Sequence, residues 1–298
     1  LLSVTALAVR CPMVIAPAMD GGMYEHPATQ ANLNTLIERG VHLIEPEVGR
    51  FASGLVGKGR FPDTPTLIGH IRRIIGLSGK LAGHKLVVTA GGTREALDPV
   101  RYLTNRSSGK QGYAIAQAGI DAGADVTLIT TTNNLPEPVG ATMIHVESAE
   151  SMRDAVLAQV NNATALVMSA AVADYKPTQV SDQKIKKSDS DLSIPLARTP
   201  DILMSVKEQR QSTGFPRIAV GFAAESQNLI DNALGKLQRK GLELLVANDI
   251  TASDAGFAVD TNRVIVLDRD GGQVPMELTS KANIGAYLME RIADLLDD

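Results

Sequence analysis

The stretch NRSSGKQG, residues 105–112, brings small residues, a glycine and a lysine to the point where an extended segment gives way to a helical pattern over Tyr113, Ile115 and Ala116. Backbone N–H groups at the start of a helix have no intrahelical partner and attract anions. Ser107, Ser108 and Gly109 leave such groups open. A Walker-type loop, G-x-x-x-x-G-K-[ST], is excluded by two residues: Thr104 stands where its first glycine is needed, and Gln111 where a hydroxyl would ligate magnesium. On these residues alone an anion site and an ordinary helix start fit equally.

Four other segments share a chemistry. TAGGTRE (89–95), SAAVADYK (169–176), GFAAE (221–225) and AND (247–249) each end an apolar run with small residues and a polar or acidic group. Small residues let a ligand approach the backbone. Close helix–sheet packing explains one such end well and four poorly. TAGGTR lacks the G-x-G-x-x-G fingerprint, so a nicotinamide-dependent reductase is the weaker reading. A non-catalytic oligomerising scaffold is the other alternative.

The elements that must carry these ends alternate. Strands are expected at 13–19, 41–45, 85–92, 123–130, 163–171, 217–225 and 242–249, and a hairpin at 263–278 around Asp270-Gly271-Gly272. Helices are expected at 26–40, 64–76, from Gly109 onward, and at 150–160, 200–209, 229–241 and 281–296. This alternation implies an α/β fold with a doubly wound, Rossmann-like parallel sheet covered on both faces and ligands at the strands' carboxyl ends. The polar, glycine-bearing stretch 77–85 reads as a linker. It divides the chain into residues 1–78 and 79–298.

A chain of 298 residues with 44% hydrophobic content holds one large or two ordinary domains. A net charge of −4, no tryptophan and 3% aromatics argue against nucleic acid and anionic membranes as partners. Cys11 is the only cysteine, so no intramolecular disulfide forms, and a reducing, cytoplasmic compartment is expected. The 5 histidines show no zinc-like spacing. LLSVTALAV is too short and interrupted for a membrane span and reads as the tail of a helix, in a chain expected to be a fragment of a longer one.

Six motifs then occur in one order: TAGGTREALDPVRYLTNRSSGKQG, SAAVADYKP, KIKK, TPDIL, VGFAAE and VAND. Together, over about residues 83–298, they resemble the phosphopantothenate–cysteine ligase part of the bacterial bifunctional coenzyme A biosynthesis family. PAMDGGMYEHPATQANL and ASGLVGKGR, nearer the start, resemble the last third of the fused, flavodoxin-like phosphopantothenoylcysteine decarboxylase. Two residues depart from that pattern: Asp20 replaces a substrate-holding asparagine, and Ser53 replaces the proton-donating flap cysteine. Serine is a far poorer acid–base group than a thiol near neutral pH.

The resemblance implies ligation of 4'-phosphopantothenate to L-cysteine with CTP, through an acyl-cytidylate. It implies Mg2+ on the triphosphate, with metal ligands left open, and FMN for the complete decarboxylase, little of it held by this stretch. It assigns Asn105 and Lys184 to catalysis, Asn105 and Ala171 to the acyl intermediate, and Lys184 to a flap over Pro177 to Asp191. Ser169, Ala170, Asp174, Thr199, Pro200, Asp201, Ile202, Phe222, Lys236 and Lys240 fall to the nucleotide. Lys236 and Lys240 are spaced i, i+4 and share one helical face. A homodimer through the ligase part and a higher oligomer through the complete decarboxylase part are further implications.

Overall fold

Six short runs rich in valine, leucine and isoleucine pair in parallel to make the core of the second of two units. In this computed structural model residues 2–187, 191–225, 229–249 and 259–297 are described. The chain divides into units Leu1–Ser78 and Gly79–Asp298.

In the second unit the strands are β1 (Lys85–Ala90), β2 (Asp125–Thr130), β3 (Thr142–His145), β4 (Ala165–Met168), β5 (Ile218–Glu225), β6 (Leu244–Asp249), β7 (Thr261–Asp268) and β8 (Gln273–Ser280). The helices are α1 (Lys110–Asp121), α2 (Ala149–Val160), α3 (Ile202–Thr213), α4 (Leu229–Lys240) and α5 (Lys281–Asp297). One sheet runs β8-β7-β6-β5-β4-β1-β2-β3. Its six parallel strands therefore stand in the order 3-2-1-4-5-6 of doubly wound dinucleotide folds. β7 and β8 add an antiparallel ribbon to the β6 edge.

Alternate residues of β1 serve opposite faces. Leu86, Val88 and Ala90 join a core with α1 and α5, while Val87 joins one with α2 and α3. A third core packs Ala233 and Leu237 of α4 against β5 and β6. Ser148 starts α2 with a reciprocal capping box to Ser151, and Asp201 starts α3 by accepting from the Met204 N–H. Two two-stranded ribbons of three-residue strands stand outside the sheet: Arg94–Ala96 pairs with Tyr102–Thr104, and Tyr175–Pro177 with Leu196–Arg198.

The first unit has helices at Leu2–Ala8, Gly21–Tyr24, Pro27–Glu38 and Thr64–Gly76. Val14–Ile15 pairs in parallel with His42–Leu43, and Glu47–Arg50 pairs antiparallel with Val56–Arg60. The strand expected over 13–19 is thus confined to two residues. Pro17 has no N–H to give a ladder, which ends the pairing.

Candidate functional site

The sheet order reverses between β1 and β4, and there the two following loops are sewn together. Ala171 donates its N–H to the Gly91 carbonyl at 2.8 Å, and Ala173 donates to the Thr93 hydroxyl at 2.9 Å. The Ala170 N–H reaches the Thr89 hydroxyl at 3.1 Å. A cleft of about 900 Å³ opens over this seam. In doubly wound folds this is where ligands bind.

One wall is the start of α1. Gly109 caps it in the left-handed region, at φ 78°, and has no side chain with which to cap the first turn. A Cβ at Gly109 would sit 2.8 Å from the Thr132 methyl, and one at Gly112 would sit 2.5 Å from the Ala90 Cβ. The two glycines let the first turn of α1 lie directly on the end of β1, with its N–H groups toward the cleft.

The opposite wall comes from β4, β5, α3 and α4. The Thr199 N–H donates to the Asp174 carbonyl at 3.0 Å, and its hydroxyl donates to the Ala173 carbonyl, so Thr199 holds the turn that carries Asp174. The Lys236 ammonium donates to the Phe222 carbonyl at 3.1 Å. Lys240 is buried and ion-paired with Asp201, whose other oxygen caps α3. Burial pushes the Lys240 ammonium down from its usual value, and the charge of Asp174 opposes that shift.

Asn105 lies on the rim. Its side-chain nitrogen donates to the carbonyls of Val172 at 3.1 Å and Ala171 at 3.4 Å. Carbonyl oxygens only accept, so the amide must turn its nitrogen toward them and its Oδ1 away. With its nitrogen so engaged, the free hydrogen-bonding capacity of Asn105 is an acceptor.

Ser169, Ala170, Ala171, Asp174, Thr199, Pro200, Asp201, Ile202, Phe222, Lys236, Lys240 and Asn105 all line this one cleft. Lys184 does not line it; the residue is exposed. Residues 188–190 of the expected flap lie outside the described residues. Asp20 and Ser53 belong to the first unit, where the Ser53 hydroxyl donates to the Asp20 carboxylate at 2.7 Å and Asp20 accepts from the Gly22 N–H.

Several cleft residues were not assigned from the sequence. Lys110 and Lys281 line it, with Arg106, Arg198 and Arg239. Against these bases and Lys236 and Lys240, its acidic residues among those described are Asp174 and Asp201. Asn248, at the end of β6, is buried with its Oδ1 unpartnered, and Ser169 Oγ and Gln111 Oε1 are likewise buried without partners. Asn248 lay within the quoted VAND motif and Gln111 within NRSSGKQG, so a signal existed for both. Lys281 opens α5, a place where a lysine ordinarily reads as solvent-facing, yet it is 5% exposed. Among the described residues no three His, Cys, Asp or Glu side chains are placed to hold a metal ion.

Two family models match the chain. One, described as DNA/pantothenate metabolism flavoprotein C-terminal domain, covers residues 81–296. The other, described as flavoprotein, covers residues 1–76. The Coenzyme A biosynthesis bifunctional protein CoaBC of Bacillus subtilis (strain 168) is 42% identical over 298 residues, spanning 99% of this chain and 72% of that protein. The crystal structure of the C-terminal domain of a Coenzyme A biosynthesis bifunctional protein CoaBC is 35% identical, with a TM-score of 0.62, over 74% of this chain and 100% of that one. The DNA/pantothenate metabolism flavoprotein from Streptococcus pneumoniae is 27% identical, with a TM-score of 0.61, over 71% of this chain and 99% of that one.

Proposed function

This chain belongs to the family of bifunctional coenzyme A biosynthesis proteins, and on that premise we propose that its second unit ligates 4'-phosphopantothenate to L-cysteine with CTP. The observation that carries the reading is a strongly basic cleft at the sheet's reversal point in a chain of net charge −4. Both phosphopantothenate and a nucleoside triphosphate are polyanions, and such a cleft gathers and orients them.

In the proposed reaction the phosphopantothenate carboxylate attacks the α-phosphorus of CTP and pyrophosphate leaves. The cysteine amine then attacks the acyl carbon of the acyl-cytidylate, and CMP leaves with the bonding electrons. The open N–H groups of α1 and Lys110 suit phosphate oxygens. Phe222, beside the small residues ending β4 and β5, leaves room for a flat base. Lys236 and Lys240 add charge from one face of α4, and Lys184, outside the cleft in this structure, is assigned to the α-phosphate on the family resemblance. The Asn105 Oδ1 suits an N–H of the incoming amine.

Magnesium fits in one way. Among the described residues the cleft has Asp174 and the Lys240-paired Asp201 but no metal-holding cluster of carboxylates, which suits an ion held mainly by the substrate's phosphates. When bound it would screen charge on the triphosphate. Flavin chemistry belongs to the first unit, which matches flavoproteins over residues 1–76. The resemblance implies that this stretch by itself holds little FMN. The exposed Tyr102, Tyr175 and Leu196 on the two small ribbons, with Val100 in the turn of the first, support a homodimer through the second unit. Ile68, Ile71 and Ile75, exposed on one helix, support further association through the first. A thiol substrate also suits the reducing cytoplasm argued from the lone cysteine.

Pyrophosphate release from CTP is the test. The expected result is release with phosphopantothenate present and CMP formation only after cysteine is added. NADPH protecting the chain against unfolding where CTP does not would favour a reductase. A chain that binds none of these would favour a scaffold.

A further inference from the structure

Asp98 sits in the turn LDPVR, yet its side chain has 0% solvent exposure. Its Oδ1 accepts from the backbone N–H groups of Val100 and Arg101, each at 2.9 Å. Its Oδ2 accepts from the Arg101 guanidinium, with the Nε at 2.9 Å, and from the backbone N–H of Ile185 at 3.1 Å. Arg101 in turn donates from Nη2 to the Ile185 carbonyl at 2.9 Å. One ion pair therefore grips both backbone groups of a residue 87 positions away. Four residues before it, the Ser181 N–H donates to the Leu97 carbonyl at 3.0 Å. The segment 181–185 is fastened to the 97–101 turn at both ends, and Lys184 projects exposed beside the tighter fastening.

We propose that Asp98 is a positioning residue for Lys184: with Arg101 it fixes the backbone of Ile185, and so sets the point from which the Lys184 ammonium reaches the nucleotide. The proposal rests on the assignment of Lys184 made above. A lysine brings a flexible four-carbon stem to any contact, and ordering its backbone as well adds to the entropy that must be overcome. Anchoring the adjoining peptide in advance removes the backbone share of that cost before substrate arrives. A turn alone would need only the two Oδ1 bonds. The three donors gathered on Oδ2, two of them from a guanidinium that also holds Ile185, are what a turn does not require.

The two oxygens can be separated by substitution. Asp98→Asn keeps an oxygen for the turn amides and places an NH2 against the Ile185 N–H and the guanidinium, which breaks the grip on Ile185 and spares the turn. The experiment measures CTP-dependent pyrophosphate release by the whole chain as wild type, Lys184→Gln, Asp98→Asn and the double variant. The expected kcat losses are about 100-fold for Lys184→Gln and about 10-fold for Asp98→Asn, with the KM for phosphopantothenate unchanged in both. The double variant is expected to be no slower than Lys184→Gln alone, since Asp98 acts through that lysine. Asp98→Glu, which keeps the charge but misplaces it by one methylene, should fall between wild type and Asp98→Asn, and it serves if Asp98→Asn fails to fold. Losses that multiply in the double variant would overturn the proposal, as would a wild-type kcat in Asp98→Asn. An unchanged kcat in Lys184→Gln would overturn it too, while leaving the ligase reading standing on the wild-type activity. A wild-type chain that releases no pyrophosphate from CTP would remove both.

Discussion

Lys240, 8% exposed at its side chain, forms an ion pair with Asp201, the residue that caps α3. The contact ties α4 to the start of α3 on one wall of the cleft. Its i−4 neighbour Lys236 has a different attachment, the Phe222 carbonyl. The two lysines share a helical face but not a structural burden. Lys240→Ala should destabilise the fold by about 1–3 kcal/mol, because it leaves the Asp201 carboxylate without its partner and removes a buried stem. Lys236→Ala should cost less than about 1 kcal/mol in stability. Both should weaken CTP binding, by about 1.5–3 kcal/mol each, more than they weaken phosphopantothenate binding. Urea unfolding and ligand titrations separate the two effects. Equal loss for both ligands would remove the lysines from the nucleotide.

Stability should depend on pH through Asp98. The Arg101 guanidinium, ahead of the backbone N–H donors, holds its carboxyl well below the usual carboxylate range. A carboxyl whose folded value lies below its unfolded value stabilises the fold fully above the ordinary range, and that contribution is lost as the pH falls through the window toward the folded value. Asp98→Asn removes the contribution at every pH. The gap in melting temperature between wild type and Asp98→Asn should therefore be largest near neutrality and should narrow below about pH 4. A gap that stays constant down to pH 3 would show that the charge of Asp98 is not what the clamp relies on.

Gly109 is a position where a single methyl should harm the cleft. Its φ of 78° is a left-handed value, and its Cβ would meet the Thr132 methyl at 2.8 Å. Gly109→Ala should cost about 1–2 kcal/mol from the backbone conformation alone, with the collision added to it. The first turn of α1 must then shift off β1, so CTP affinity should fall along with the melting temperature. Thermal unfolding with and without CTP measures both. A Gly109→Ala chain that melts lower but keeps wild-type protection by CTP would separate this turn from the nucleotide.

Much of this framework could be read from the sequence where the signal is local. The apolar period of TPTLIGHIRRIIG, with Asp63 ahead of it, locates the helix Thr64–Gly76 to the residue. The hairpin around Asp270-Gly271-Gly272 follows from turn chemistry. β3, Thr142–His145, went unread because two of its four residues are half-buried and two exposed, giving neither a long apolar run nor a clean alternation. The ribbons Arg94–Ala96 with Tyr102–Thr104 and Tyr175–Pro177 with Leu196–Arg198 are too short to announce themselves. The second depends on a pairing across an insertion. The order 3-2-1-4-5-6 rests on non-local pairing and has no signature in any one segment. At the site, small residues at strand ends marked the cleft, because close approach to the backbone constrains residue type directly. Lys281 and the Asp98–Ile185 contact did not show, since burial of a charged side chain depends on what folds over it.

Asn105 supplies the last prediction. Its amide nitrogen is spent on the carbonyls of Val172 and Ala171, which orient the side chain and leave Oδ1 as the acceptor. Asn105→Asp takes away both donors and sets a carboxylate against two carbonyl oxygens, so the side chain must swing off the rim. In the proposed reading the phosphates of CTP are met by lysines and by the start of α1, not by the Asn105 side chain. Acyl-cytidylate formation should therefore survive. Attack by the cysteine amine needs an oriented acceptor at that point, and loss of one well-placed polar partner costs a factor of about 100 or more in the step it serves. The expected phenotype is one turnover of pyrophosphate at close to the wild-type rate, followed by slow transfer of the acyl group to cysteine. Asn105→Ala should behave in the same way with a smaller effect, because it removes the acceptor without adding repulsion. Quenched single-turnover reactions with labelled CTP resolve the two steps. An Asn105→Asp chain blocked before pyrophosphate release would place this residue in the first step, and one that turns over normally would remove it from the reaction.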